Sequence, residues 1–187
     1  MGGWPQSFAA SVINWEAYGS DQSRVLGADS RVVLGGTILV AFAGGLAGFY
    51  SLRAEYLTEA GIAERTRRLV LGTGVMAALT WVTVIVGTWI VYPWYREDIP
   101  ESPRSQLLAN PDTEDWHTFA MEWKEHVAWI APMLATAAFV IAAYYGRDLI
   151  RNQTARRIAM TLFVAAFGVA AVAGLLGALI TKKAPIL

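Results

Sequence analysis

The chain has 187 residues, of which 55% are hydrophobic and only 16% charged, against roughly a quarter charged in ordinary soluble domains. Fifteen basic and fifteen acidic residues leave no net charge, so there is no basic surface to hold a nucleic-acid backbone, and DNA and RNA are excluded as partners. The absence of cysteine excludes disulfides, thiolate metal sites, iron–sulfur clusters and c-type haem attachment, leaving histidine, methionine and carboxylate as ligands.

In chain order, residues 1–31 read as an external N-terminal segment. Ser7 is placed to cap a short helix running to Tyr18, with Gly19 as its stop, and Phe8, Val12 and Trp15 share a face at i, i+4, i+7. A helix this short needs a docking surface, which the outer membrane face or a partner subunit would supply. The segment lacks the basic start and small-residue cleavage site of a secretory signal, so the first span is expected in the mature protein.

Residues 32–187 read as a transmembrane domain. Four stretches, 32–52, 69–95, 127–146 and 158–181, carry no charged residue over about the length that crosses ~30 Å of hydrocarbon. The fold class expected is an all-α integral membrane protein: a four-transmembrane-helix bundle with a short N-terminal interfacial helix and a third helix extended beyond the membrane. A chain of this length has too little polar sequence to wrap four such helices in water.

Orientation follows from the short loops. Arg53, Arg65, Arg67 and Arg68 lie between the first two spans, and Arg147, Arg151, Arg156 and Arg157 lie between the last two. The central loop is acidic, with Glu97, Asp98, Glu101, Asp112, Glu114 and Asp115. The arginine loops therefore belong in the cytoplasm of a cell whose inner membrane holds the protein, with both termini and the external loop 96–121 outside; Lys182 and Lys183 are the one opposing signal. Tyr50-Ser51-Leu52-Arg53 and Tyr144-Tyr145-Gly146-Arg147 leave their helices alike, as Arg67-Arg68 and Arg156-Arg157 enter theirs, which suggests two hairpins in tandem.

Small residues are expected to set the helix contacts, since lipid tails are as apolar as leucine and only close approach of backbones favours association. Gly44 and Gly48 in the first span and Ala170, Ala173, Gly174 and Gly177 in the fourth are the candidates. Of the eight tryptophans, all but Trp81 fall near the proposed outer side. They form an interfacial belt dense enough to line a flat cofactor or quinone pocket.

The central loop ends in Asn110-Pro111-Asp112-Thr113-Glu114-Asp115, a strong helix start with Asp112 as the expected cap. The third helix then begins outside the bilayer, and Pro132 should loosen its hydrogen bonding just inside. Both histidines of the chain, His117 and His126, lie on this helix. Nine residues at 100° leave them half a turn apart and roughly 13 Å distant along the axis, so they cannot share one haem within a chain.

His126 stands where the uncharged run begins, with Glu122 a turn before it and Trp129 a turn after. Three readings compete: a structural imidazole paired with Glu122; a b-type haem ligand, with Trp129 beside the macrocycle and Arg96 as the external cation for a propionate; and a metal site using His126 and Glu122, with Glu125 or His117. In size, helix count and a histidine near a membrane face, the chain resembles the small four-helix membrane subunits of respiratory enzymes, such as the cytochrome b anchors of succinate dehydrogenase-like complexes. Those subunits offer two histidines from different helices, and here the first, second and fourth spans hold none. The expected function is an integral membrane subunit of a multi-subunit respiratory or electron-transfer complex with haem b near its outer face, partnered by the lipid bilayer and other membrane subunits. The alternatives are a structural or assembly subunit without cofactor and an outer-face metal-binding protein. No charge sits at mid-membrane, which disfavours ion transport.

Overall fold

Uninterrupted apolar sequence in a medium without water must satisfy its backbone internally, and the helix does so within one segment. The computed structural model describes residues 35–52 and 58–184, and every regular element among them is helical. The expected N-terminal helix around Ser7–Tyr18, Arg53 and the last three residues lie outside the described part.

Three helices are long and apolar enough to cross a membrane: α2 (Glu59–Tyr95), α4 (Pro111–Ile150) and α5 (Gln153–Lys183). A shorter apolar helix, α1 (Gly35–Ser51), precedes them, and a one-turn helix, α3 (Pro103–Leu108), lies in the central loop. At 40 residues α4 is far longer than its uncharged run; at 1.5 Å per residue its first 16 residues reach about 24 Å past Val127. Its cap is Asn110, whose side chain accepts from the Asp112 N–H, with Pro111 in the first turn. Asp112 therefore stands inside the helix rather than at its cap, because proline, which has no N–H to lose, takes the first helical position.

Prolines interrupt two of the three long helices, α2 near its C-terminal end and α4 near its middle. In α2 a π-turn spans Gly87–Val91 and ends against Pro93, which offers no N–H to the carbonyl of Trp89. In α4 the α-pattern breaks at Ala128 and Trp129, the turn whose carbonyls face Pro132. Thr136 Oγ donates to the Pro132 carbonyl (2.7 Å) and accepts from Trp81 Nε1 (3.0 Å), a cross-helix bond in otherwise apolar surroundings. Thr73, Thr80 and Thr83 return their hydroxyls to their own helix.

Within the unit that begins at Thr37, α4 packs against both α2 and α5. The core centres on Phe163, fully buried, which stacks with Phe42 (5.6 Å between centroids) and meets Phe49 edge-on (5.8 Å). Glycines let the backbones close around it. A Cβ on Gly45 would fall on the Phe163 ring, one on Gly48 would press Leu69, and one on Gly74 would press Phe139. Gly44 and Gly174, expected at contacts, meet nothing within 4 Å. On α1 the contact face therefore takes in Gly48, as expected, together with Gly45 in place of Gly44, because Gly45 receives the ring.

Candidate functional site

The C-terminal ends of α2 and α5 and the first turns of α4 carry, with Leu107 of α3, a second apolar cluster, formed by Tyr95, Leu107, Ala120, Met121, Ile180 and Ala184. It is the small core of a cap: the loop after α2 folds back through α3, and the early turns of α4 rest on the end of α5. Thr113 Oγ ties α4 to the Leu107 carbonyl at 2.9 Å, and Ser102 caps α3 through the Ser105 N–H.

Polar groups concentrate where this cap meets α2. The Tyr95 hydroxyl lies 2.9 Å from His117 Nδ1, and both residues are buried. Burial, reinforced by the guanidinium charges of Arg104 and Arg96, holds the His117 pKa below its ordinary value and keeps the ring neutral. Arg96 Nη2 stands 3.6 Å from Glu125 and 3.8 Å from Glu122, with its guanidinium 4.8 Å above the Tyr92 ring. Burial pushes the Glu125 carboxyl up, against the lowering effect of Arg96 and of a hydrogen bond from Tyr92. Arg96 Nε, Arg104 Nε and Glu125 Oε1 are buried with no protein partner.

The two histidines differ in every respect but their helix. His117 is enclosed and bonded to Tyr95. His126 is exposed, and its Nδ1 lies 2.7 Å from the Glu122 carbonyl. A carbonyl only accepts, so Nδ1 carries the proton, and in the neutral ring the Nε2 lone pair points away from the helix. This is the arrangement by which a backbone acceptor commonly orients an imidazole ligand.

The remaining residues named from the sequence are divided between faces. Trp129 packs edge-on against Trp81 (6.2 Å) and Trp89 (6.4 Å) of α2, so its ring belongs to the helix interface. Arg96 is engaged by the two glutamates. Among the described residues no three His, Asp or Glu side chains group as a metal site; His117 is not brought to His126 and Glu122. The structure instead groups Tyr92, Tyr95 and Arg104 with His117, Arg96 and Glu125.

His126 stands within a row of exposed apolar side chains: Phe119 (71% exposed), Trp123, Ile130, Met133, Val140 and Tyr144. With His126 and Ala137 they follow one another at steps of four and three, so they share one face of α4. None of these positions is charged. No protein-family model matches the chain, and neither does any curated protein or solved structure.

Proposed function

We propose that the chain is an integral membrane subunit of a multi-subunit electron-transfer complex and that it offers His126 as an axial ligand to a b-type haem near the outer face. In this reading α1, α2, α4 and α5 are the four membrane spans of one bundle in an inner (cytoplasmic) membrane. The arginine loops lie in the cytoplasm, and the cap, both termini and the loop 96–121 lie outside.

The observation that carries the haem reading is the exposed imidazole whose Nδ1 is committed to the Glu122 carbonyl, which leaves Nε2 available on an uncharged face. The fit to the group is one-sided. Trp123, Ile130 and Met133 flank the imidazole on the same face, as the apolar wall of a macrocycle requires. Trp129 and Arg96 face the α2 side, so the propionate cation would come from elsewhere in the assembly. Haem bound there would supply a one-electron redox centre at the membrane boundary. A metal-binding function finds less support, since the carboxylate near His126 is paired with Arg96.

The test is an optical spectrum of protein purified in mild detergent together with its associated subunits. A reducible Soret band should be present, lost in His126→Ala and kept in His117→Ala. A colourless preparation that is well folded and retains its partners would reject haem and leave the assembly-subunit reading.

A further inference from the structure

We propose that the cleft between the end of α4 and the start of α5 binds one anionic phospholipid, with its phosphate on Arg151 and Arg157 and an acyl chain against Ile141 and Ile158. This site lies at the other end of α4 from His126 and is independent of haem. The cleft has a volume of about 290 Å³ and is lined by Ile141, Tyr145, Asn152, Thr154, Ala155 and Ile158. It sits where the uncharged run 127–146 ends and the run 158–181 begins, the level at which hydrocarbon gives way to headgroups in a bilayer. Its wall changes character there. Ile141 lies a turn before Tyr145 on α4 and Ile158 a turn after Thr154 on α5, so both isoleucines stand on the hydrocarbon side of the polar groups. Asn152 Oδ1 is committed to the Ala155 N–H as the cap of α5. Its Nδ2 and the Tyr145 hydroxyl have no hydrogen-bond partner among the described residues.

The charge around this cleft selects the ligand. From Ile141 to Ile158 the chain carries four arginines and a single acid, Asp148. Arg156 is buried and turns to the carbonyls of Leu149 and Ile150, which makes it part of the scaffold. Arg147, Arg151 and Arg157 are exposed, and none of them has an ion-pair partner among the described residues. Arg151 directly precedes Asn152, and Arg157 stands three residues after Thr154 and hence beside it on α5. The first-turn N–H groups of Gln153 and Thr154, which have no acceptor within the helix, add to the positive field. A phosphodiester supplies oxygens to these donors, and its acyl chain covers the apolar side of the same cleft. A zwitterionic lipid would bring a second cation to arginines that already lack a counter-charge. A free phosphate would leave the isoleucines uncovered.

The test titrates the whole chain, in mild neutral detergent, with phosphatidylglycerol and with phosphatidylcholine of the same acyl chains, counting bound lipid per chain by native mass spectrometry. One phosphatidylglycerol per chain is expected, with phosphatidylcholine far weaker. Arg151→Gln with Arg157→Gln should weaken the binding roughly thirtyfold. Arg67→Gln with Arg68→Gln removes the same charge from the start of α2 and should leave it near the parent value. Thr154→Trp fills the cleft without changing its charge and should lose the lipid as well. All five side chains are exposed, and each variant is compared at equal folded protein. Equal binding of the two lipids, or equal loss in the two arginine pairs, would overturn the site in favour of diffuse attraction. Lipid kept by Thr154→Trp would place it outside the cleft and overturn the proposal. Displacement of the lipid by equimolar glycerol 3-phosphate, which has no acyl chain, would overturn it in favour of a soluble-anion site.

Discussion

The packing around Phe163 and the cap around His117 hold the same helices together by opposite means. Around Phe163 the contacts are rings and glycines, and the fit depends on Gly45 having no side chain. In the cap the contacts are a tyrosine–histidine bond, arginine–glutamate pairs and a thin apolar core. In lipid, where burial of apolar surface brings no gain from water, close packing must do the holding. In the cap, polar groups are buried where they find partners. The first region should therefore respond to volume and the second to charge and pH.

The largest effect is expected at the glycine beneath the ring. Gly45→Leu should destabilise the bundle by about 3 kcal/mol or prevent its assembly, as overpacking of a rigid contact does, read as loss of detergent-resistant folded protein. Gly44→Leu, one residue round on the same helix, should stay within about 0.5 kcal/mol of the parent. Equal damage from both would place the contact face wrongly. Next comes the cap: Tyr95→Phe removes the hydroxyl that satisfies His117 Nδ1 and should cost about 1–2 kcal/mol, with the loop around α3 becoming more open to protease while the spans remain intact.

The pH response sharpens the contrast. His117 has a folded pKa below its ordinary 6.5, so its stabilising contribution is present above that value and is lost as pH falls from there through the folded pKa. Glu125 has the opposite sign: raised above 4.5, its contribution is complete at acid pH and lost as pH rises through the folded value. Thermal unfolding in Glu125→Gln should therefore show an acid-side loss of stability below pH 6.5 that disappears in His117→Gln. A loss that persists without His117 would show that another group titrates. The smallest effect is expected for Arg96→Gln, partly exposed and paired at 3.6 Å or more, at about 0.5–1 kcal/mol and diminished further by salt.

The long helices were readable in the sequence because charge-free runs of this length have few other uses. Pro132 marked one place where the pattern breaks, whereas the π-turn ahead of Pro93 was not anticipated. The contact faces were not readable: nearly every residue of a lipid-facing helix is apolar, so Gly44 and Gly45 look alike, and only the approach of Phe163 distinguishes them. His126 was marked by its position at the membrane boundary, whereas the pairing of Tyr95 with His117 depends on how the loop 96–110 folds back, which no local spacing encodes. Arg104 showed no signal at all. The row from Phe119 to Tyr144 was present as steps of four and three, hidden in a helix apolar on all sides, and became visible once burial separated covered positions from bare ones.

The proposed haem would be held by the exposed His126 and not by the enclosed His117. Reduced-minus-oxidised spectra of the complex from wild type, His126→Ala and His117→Ala, compared at equal folded protein, test it directly. A Soret difference band is expected in wild type and His117→Ala and none in His126→Ala; a band of equal strength in all three, or in none, would rule His126 out as the haem ligand.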